Sequence, residues 1–398
     1  METNSAAARR GIDAYPVEFA GTGGEYFRVW IVNLLLTVVT LGFYTPFARR
    51  RTARWFYGHT LVAGSPLEFT AQQKKMVTGF LLLVGVYVAF KVAAETGQDT
   101  ASAIMLLAAA ALAPYFWASA MRFRLNATRW RGVRLQFTAS WGEVYRSAWP
   151  MFAIALVWIA ALAAISAIAP GPGMRPGASW GAKLAGILLC ALATTVVALM
   201  RLEFNAKSLL VRRGRIGGQP GRWKPVFGDF VRIWLATVGV FVACTVIVTL
   251  LVAALLGGSF AALRGTRSAG LGAILLLVSL ALGGVFLLFL ASAPARAYRE
   301  ARMFRLLWSN IGVSQLARFK SDLRAWPYVR LRVGNLFLTL VTLGFYRPFA
   351  LVSEYRMKCE SVTLHVKGSL DQLAGQLARE EDGLGDAIAA AAGLDLVG

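Results

Sequence analysis

A chain of 398 residues that is 57% hydrophobic and only 16% charged is too apolar for an ordinary soluble fold, and its apolar residues run in long blocks without the period of a folded core. The formal net charge of +22 sits in the connectors between those blocks, which argues against a nucleic-acid-binding face. Two histidines and three cysteines, at no metal-ligand or disulfide spacing, leave no cofactor to expect.

The expected class is an all-α polytopic membrane protein with about eight apolar segments, internal repeats and small cytoplasmic β pieces. Residues 1–25 read as an N-terminal extramembrane segment; Arg9 and Arg10 precede no apolar core, so no cleavable signal peptide is expected. The apolar segments follow at 29–48, 76–94, 101–120, 148–170, 182–200, 233–256, 270–293 and 333–350. Each approaches the about 20 helical residues that cross a hydrocarbon core of about 30 Å. In domain terms, 26–200 is a membrane region with a first repeat and 201–229 a basic cytoplasmic loop. Residues 230–368 form a second membrane region, and 369–398 an Ala/acid-rich tail.

The loops alternate in charge. Residues 48–75, 121–147, 201–229 and 294–326 each carry a surplus of five positive charges, whereas the links between them are short and nearly uncharged. The positive-inside rule places the basic loops in the cytoplasm and the protein in a bacterial inner membrane.

Residues 26–48 and 328–350 are identical at fifteen of 23 positions, at a constant offset of 302. Such a match implies two equivalent structural elements. Eight-span alternation puts both termini outside. Equivalence of the copies instead makes them re-entrant or interfacial hairpins turning near Gly42 and Gly344, with six full spans. The length of each copy, about 20 residues, favours eight spans. Pro46, Pro114, Pro294 and Pro348 each precede by eight residues an arginine, Arg54, Arg122, Arg302 and Arg356. Phe19 to Glu25 parallels Phe137 to Glu143, and short alternating stretches (Val17-Glu18-Phe19, Leu67-Glu68-Phe69, Leu135-Gln136-Phe137 and Ser361 to Lys367) predict strands.

The stretch from Asn33 to Ala48, its copy beginning at Asn335, the Asn126 to Gly132 segment and the two Phe-to-Glu segments resemble the YjgN-like family of bacterial inner-membrane proteins. That family is of unknown function. The resemblance implies location and topology and supplies no activity or catalytic residue.

Two constellations are candidates for function. Asn33, Thr37, Thr40 and Tyr44, with Asn335, Thr339, Thr342 and Tyr346, are spaced to lie on one helical face in each copy. They are either a polar path for a small solute or contacts between helices, the second being the commoner use of such residues. Arg54, Arg122, Arg124, Arg129, Arg131, Arg134, Arg302 and Arg356 are candidates for anionic phospholipid headgroups. No nucleophile elbow, phosphate loop or paired carboxylate is present, so no enzymatic activity is expected. The lipid bilayer is the expected partner, protein partners are left open, and the alternative to transport is a structural, lipid-binding or partner-binding role.

Overall fold

Adjacent residues with positive φ mark three turns in the basic loops: Ala63-Gly64, Arg131-Gly132 and Gly217-Gly218. In each, both central residues are left-handed and the flanking residues are paired, as Val62 with Ser65 and Trp130 with Val133. That is the two-residue hairpin turn whose twist matches its strands. Three of the basic loops therefore each contain a β-hairpin. In this computed structural model the described residues are 12–170, 177, 179–224, 226–263, 271–313, 317–368, 375 and 377.

Ten strands result: β1 (Ile12–Phe19), β2 (Thr60–Val62), β3 (Ser65–Phe69), β4 (Thr128–Trp130), β5 (Val133–Phe137), β6 (Gly214–Ile216), β7 (Gln219–Arg222), β8 (Gly312–Val313), β9 (Ala317–Ser321) and β10 (Val362–Lys367). Each pairs antiparallel with its neighbour, and β1 closes the ring against β10 in a register that sets Ala14 opposite His365. This overturns the all-α expectation: the alternating stretches lie in β1, β3, β5 and β10, but they join six further strands in one closed barrel. Closure removes every exposed strand edge, which lets strands of two to eight residues persist.

Helices emerge from one end of the barrel. They are α1 (Gly23–Val39), α2 (Thr45–Gly58), α3 (Gln73–Glu95), α4 (Asp99–Asn126), α5 (Trp141–Ser147), α6 (Trp149–Ile168), α7 (Trp180–Arg213), α8 (Phe227–Leu263), α9 (Leu271–Asn310), α10 (Ala325–Val341) and α11 (Arg347–Glu360). The order is strand, helices, strand, five times over. At four of the five junctions the residue after the incoming strand donates its N–H to the carbonyl at the end of the outgoing helix. These bonds are Ala20 to His59, Thr70 to Ala127, Thr138 to Arg213 and Asp322 to Ser361, at 2.7 to 3.0 Å.

The eight-span expectation also fails. The segments 29–48 and 333–350 are not single helices: each breaks where Leu41-Gly42 and Leu343-Gly344 take positive φ, and the chain folds back. Among the described residues five helices are long and apolar enough to cross a membrane: α3, α4, α6, α7 and the Phe227–Leu251 part of α8. Their most apolar windows are only 6% to 11% buried, and Leu41 and Leu343 at the hairpin tips are each 89% exposed. Apolar surface on this scale needs hydrocarbon around it.

The core sits inside the barrel. Inward positions of nine strands meet in one cluster around Trp130, Val133, Val313, Leu364 and Val366. Leu377, from the tail, is buried in the same cluster, so close to the β6–β7 turn that a Cβ on Gly217 would meet its carbonyl oxygen at 2.3 Å. Nearer the helices a second layer fills the barrel with aromatic rings: Phe19 lies 5.1 Å from Tyr355 and 5.8 Å from Trp55. Apart from Gly375 and Leu377, the tail at 369–398 lies outside the described residues, as do Arg9 and Arg10.

Candidate functional site

Alternation along each strand sends every second side chain outward. With the inside apolar, the outside collects charge. Arg129 faces Arg134, Gln136 faces Arg215, and Arg318 faces His365 across adjacent strands. Arg222, Lys320 and Lys367 share this outer wall, against Glu18 and Glu68.

Strands β7 to β10 give this wall a pocket. A cavity of about 950 Å³ is lined by Arg212, Arg222, Lys224, Arg318, His365 and Lys367, with no carboxylate among its lining residues. The end of α7 brings Arg212, the β7–α8 link brings Lys224, and closure of β10 onto β9 brings His365 beside Arg318. A second cavity, of about 590 Å³, shares Ser309 and Asn310 with it and adds Arg302, Arg305 and Lys320. Its charge is partly offset, since Arg232 stands 3.8 Å from Asp229 and Lys320 3.7 Å from Asp322. Chemically the larger cavity can hold a multiply charged oxyanion. Five permanent cations surround the space, and no acid stands among its described lining residues.

The polar stripes have a different geometry. Asn335 is buried, and its Nδ2 donates to the carbonyl of Ala350 and to Ser353 and Glu354 on α11 at 3.0 to 3.3 Å. Asn33 repeats the bond to Ala48, with Thr52 in the place of Glu354. Thr37 and Thr339 donate to the asparagine carbonyls. Thr40 and Thr342 accept from the backbone N–H groups of Tyr44 and Tyr346 at 2.9 Å, tying off each turn. The two sets thus lie within their own hairpins, which pack side by side through α1 and α11, Phe27 on Phe349 at 5.7 Å.

The arginines divide. Arg122 donates to the carbonyl of Ala139 and lies 3.8 Å over the ring of Trp141, and Arg356 donates to the carbonyl of Gly21 at 2.8 Å. Ala139 and Gly21 occupy equivalent places, just before the capping boxes Ser140–Glu143 and Thr22–Glu25. Each of these two arginines bolts one helix exit to the next strand–helix junction. Glu143 also binds Arg213; the Ser140 N–H and that guanidinium hold its carboxyl below the usual carboxylate range. Arg131 donates to Ser65 across the hairpin tips, and Arg129 is half-buried on β4. Arg54, Arg124 and Arg134 are exposed, and Arg302 is exposed at the second cavity.

Sequence reasoning missed Arg212, Arg222, Lys224, Arg318, His365 and Lys367 as a set, because only barrel closure assembles them. The available signal was the outward spacing of Arg318 and Lys320 beside the alternation of residues 361–367. It also missed two ionic clusters placed back to back on α9. Arg299 and Lys207 hold Glu203 between α7 and α9, while Arg332 and Lys358 hold Glu300 against α10 and α11. Among the described residues no group of histidine, cysteine and carboxylate side chains could hold a metal ion.

Comparison with known proteins fits this architecture. The inner membrane protein YjgN of Salmonella typhimurium is 26% identical over 159 residues, 40% of this chain and 40% of that relative. A YjgN of Escherichia coli is 27% identical over 134 residues, 34% of each chain. The alignments therefore span well under half the length of these relatives. No solved structure matches. A family model described as bacterial protein of unknown function (DUF898) matches residues 14–391, and the chain belongs to that family, the YjgN-like one its repeated segments resemble.

Proposed function

We propose that this is a multi-pass inner-membrane protein, built from repeated strand–helix–strand units, whose role is to bind phosphate-bearing anions on its basic face. The headgroups of acidic phospholipids in the surrounding leaflet are the nearest such anions. The observation that carries this reading is the cavity of about 950 Å³ lined by Arg212, Arg222, Lys224, Arg318, His365 and Lys367 with no acid among them. The positive-inside rule turns that face to the cytoplasm, where acidic headgroups attract each nearby Lys or Arg by about 1 kcal/mol. Transport along the polar stripes draws less support, because the donors of Asn33 and Asn335 are engaged inside their hairpins.

Native mass spectrometry tests the proposal on protein released from membranes of mixed phosphatidylglycerol and phosphatidylethanolamine. Retained lipid should be enriched in phosphatidylglycerol. Replacing Arg222, Arg318 and Lys367 together by Gln should reduce that enrichment about tenfold or more, three charges being removed. Equal retention of both lipids, or enrichment unchanged in the triple variant, would contradict it.

A further inference from the structure

Away from the basic wall, a crevice of about 500 Å³ opens among α4, α6, α7, α8 and α9. This lies within the size range of small-molecule sites, about 300–1,000 Å³. Its walls are apolar: Trp117 and Pro114 from α4, Met151 from α6, and Leu199 and Ala206 from α7. Its floor is charged. Glu203 receives Lys207, Arg299 and, at 3.1 Å, the indole N–H of Trp234, so the carboxylate is saturated by two cations and a neutral donor. The Arg299 guanidinium also lies 4.2 Å over the Trp234 ring, and its Nε is buried with no acceptor among the described residues. The floor therefore carries one surplus positive charge, two cations sharing one carboxylate. That surplus asks for an oxygen acceptor bearing negative charge.

Position narrows the occupant further. Leu199 is 43% exposed at the last apolar turn of α7, and Glu203 stands one turn on, about 6 Å along the axis. The crevice thus crosses from hydrocarbon depth to headgroup depth. An apolar wall above and a net positive floor below fit a single molecule with both characters.

We infer that this crevice is a binding site for a single-chain acidic amphiphile of the fatty-acid type. Its chain lies along Met151 and Leu199, and its carboxylate sits against the surplus positive charge of the Arg299 guanidinium at the floor. The site is separate from the basic cavity in residues and in ligand character, and the two stand or fall by different variants.

The test is photo-cross-linking in phosphatidylcholine nanodiscs with a diazirine-bearing palmitate, read by peptide mass spectrometry. Peptides containing Met151 or Leu199 should be labelled at least about fivefold more than those containing the lipid-facing Leu162 or Leu250. Arg299→Gln should lower crevice labelling about tenfold and leave Leu162 and Leu250 unchanged, while Arg299→Lys keeps most of it. Ala206→Phe, which fills the crevice from α7, should abolish the preference, and the neutral methyl ester of the probe should label several-fold less than the acid. Should Arg299→Gln fail to fold, Ala206→Phe and the ester still decide. Labelling spread evenly over all exposed helix faces, preference persisting in Ala206→Phe, or ester and acid labelling alike would overturn the assignment.

Discussion

At the scale of single residues, arginines that look interchangeable in the sequence do unlike work. Arg356 crosses from α11 to the carbonyl of Gly21, more than three hundred positions away in the chain, and Arg122 does the same for Ala139. A hydrogen bond from a charged donor contributes about 1.5–3 kcal/mol, and its loss leaves a carbonyl unmet. Arg356→Gln should therefore lower the thermal midpoint of the detergent-solubilised protein by several degrees. Arg54→Gln, at an exposed position, should leave it within the scatter expected of a surface change, about 0.5 kcal/mol. Equal effects of the two would contradict the bolt. The common spacing from proline to arginine was readable. What the sequence could not show is the acceptor, since Gly21 reaches Arg356 only after β1 pairs with β10.

Among the elements, the two hairpins illustrate how backbone conformation decides the sign of one substitution. Gly334 and Gly344 both have open space where a Cβ would go, but Gly344 has φ +97 and Gly334 lies inside α10. Gly334→Ala should raise stability by about 0.5–1 kcal/mol through the unfolded chain, whereas Gly344→Ala should lower it by about 1–2 kcal/mol through a left-handed backbone. Thermal unfolding of the two variants checks this, and a shift of the same sign in both would contradict the hairpin turn. The repeat made the equivalence of residues 26–48 and 328–350 legible. The break inside each copy was hidden by its own apolarity: Val38, Val39, Leu41 and Phe43 run through the turn as they would through a span. Strands were legible where apolar and polar residues alternate, over three residues in β1, β3 and β5 and over a longer run in β10. They were invisible in β6 and β8, which lack that alternation.

For the whole molecule, closure is what turns scattered charge into a site. Residues 212–224, 318 and 365–367 share no local motif; the ring order β7, β8, β9, β10 is the only thing that brings them to one cavity. Of the candidate arginines named from sequence, Arg302 lines the second cavity, while Arg122 and Arg356 bind backbone carbonyls. Closure rests on the pairing of the first strand with the last, so that contact is the most direct thing to measure. In a variant with Cys190, Cys244 and Cys359 replaced by Ser, cysteines at Ala14 and His365 stand directly opposite, with Cα atoms about 4.5–5.5 Å apart, inside the span of about 4.4–6.8 Å that a disulfide bridges. Mild oxidation in intact membranes should join residues 14 and 365 within one chain in high yield, while a pair at Glu18 and His365, four positions out of register, should stay reduced. If the 14–365 pair stays reduced as well, or joins only between chains, the strands do not meet and the barrel is wrong.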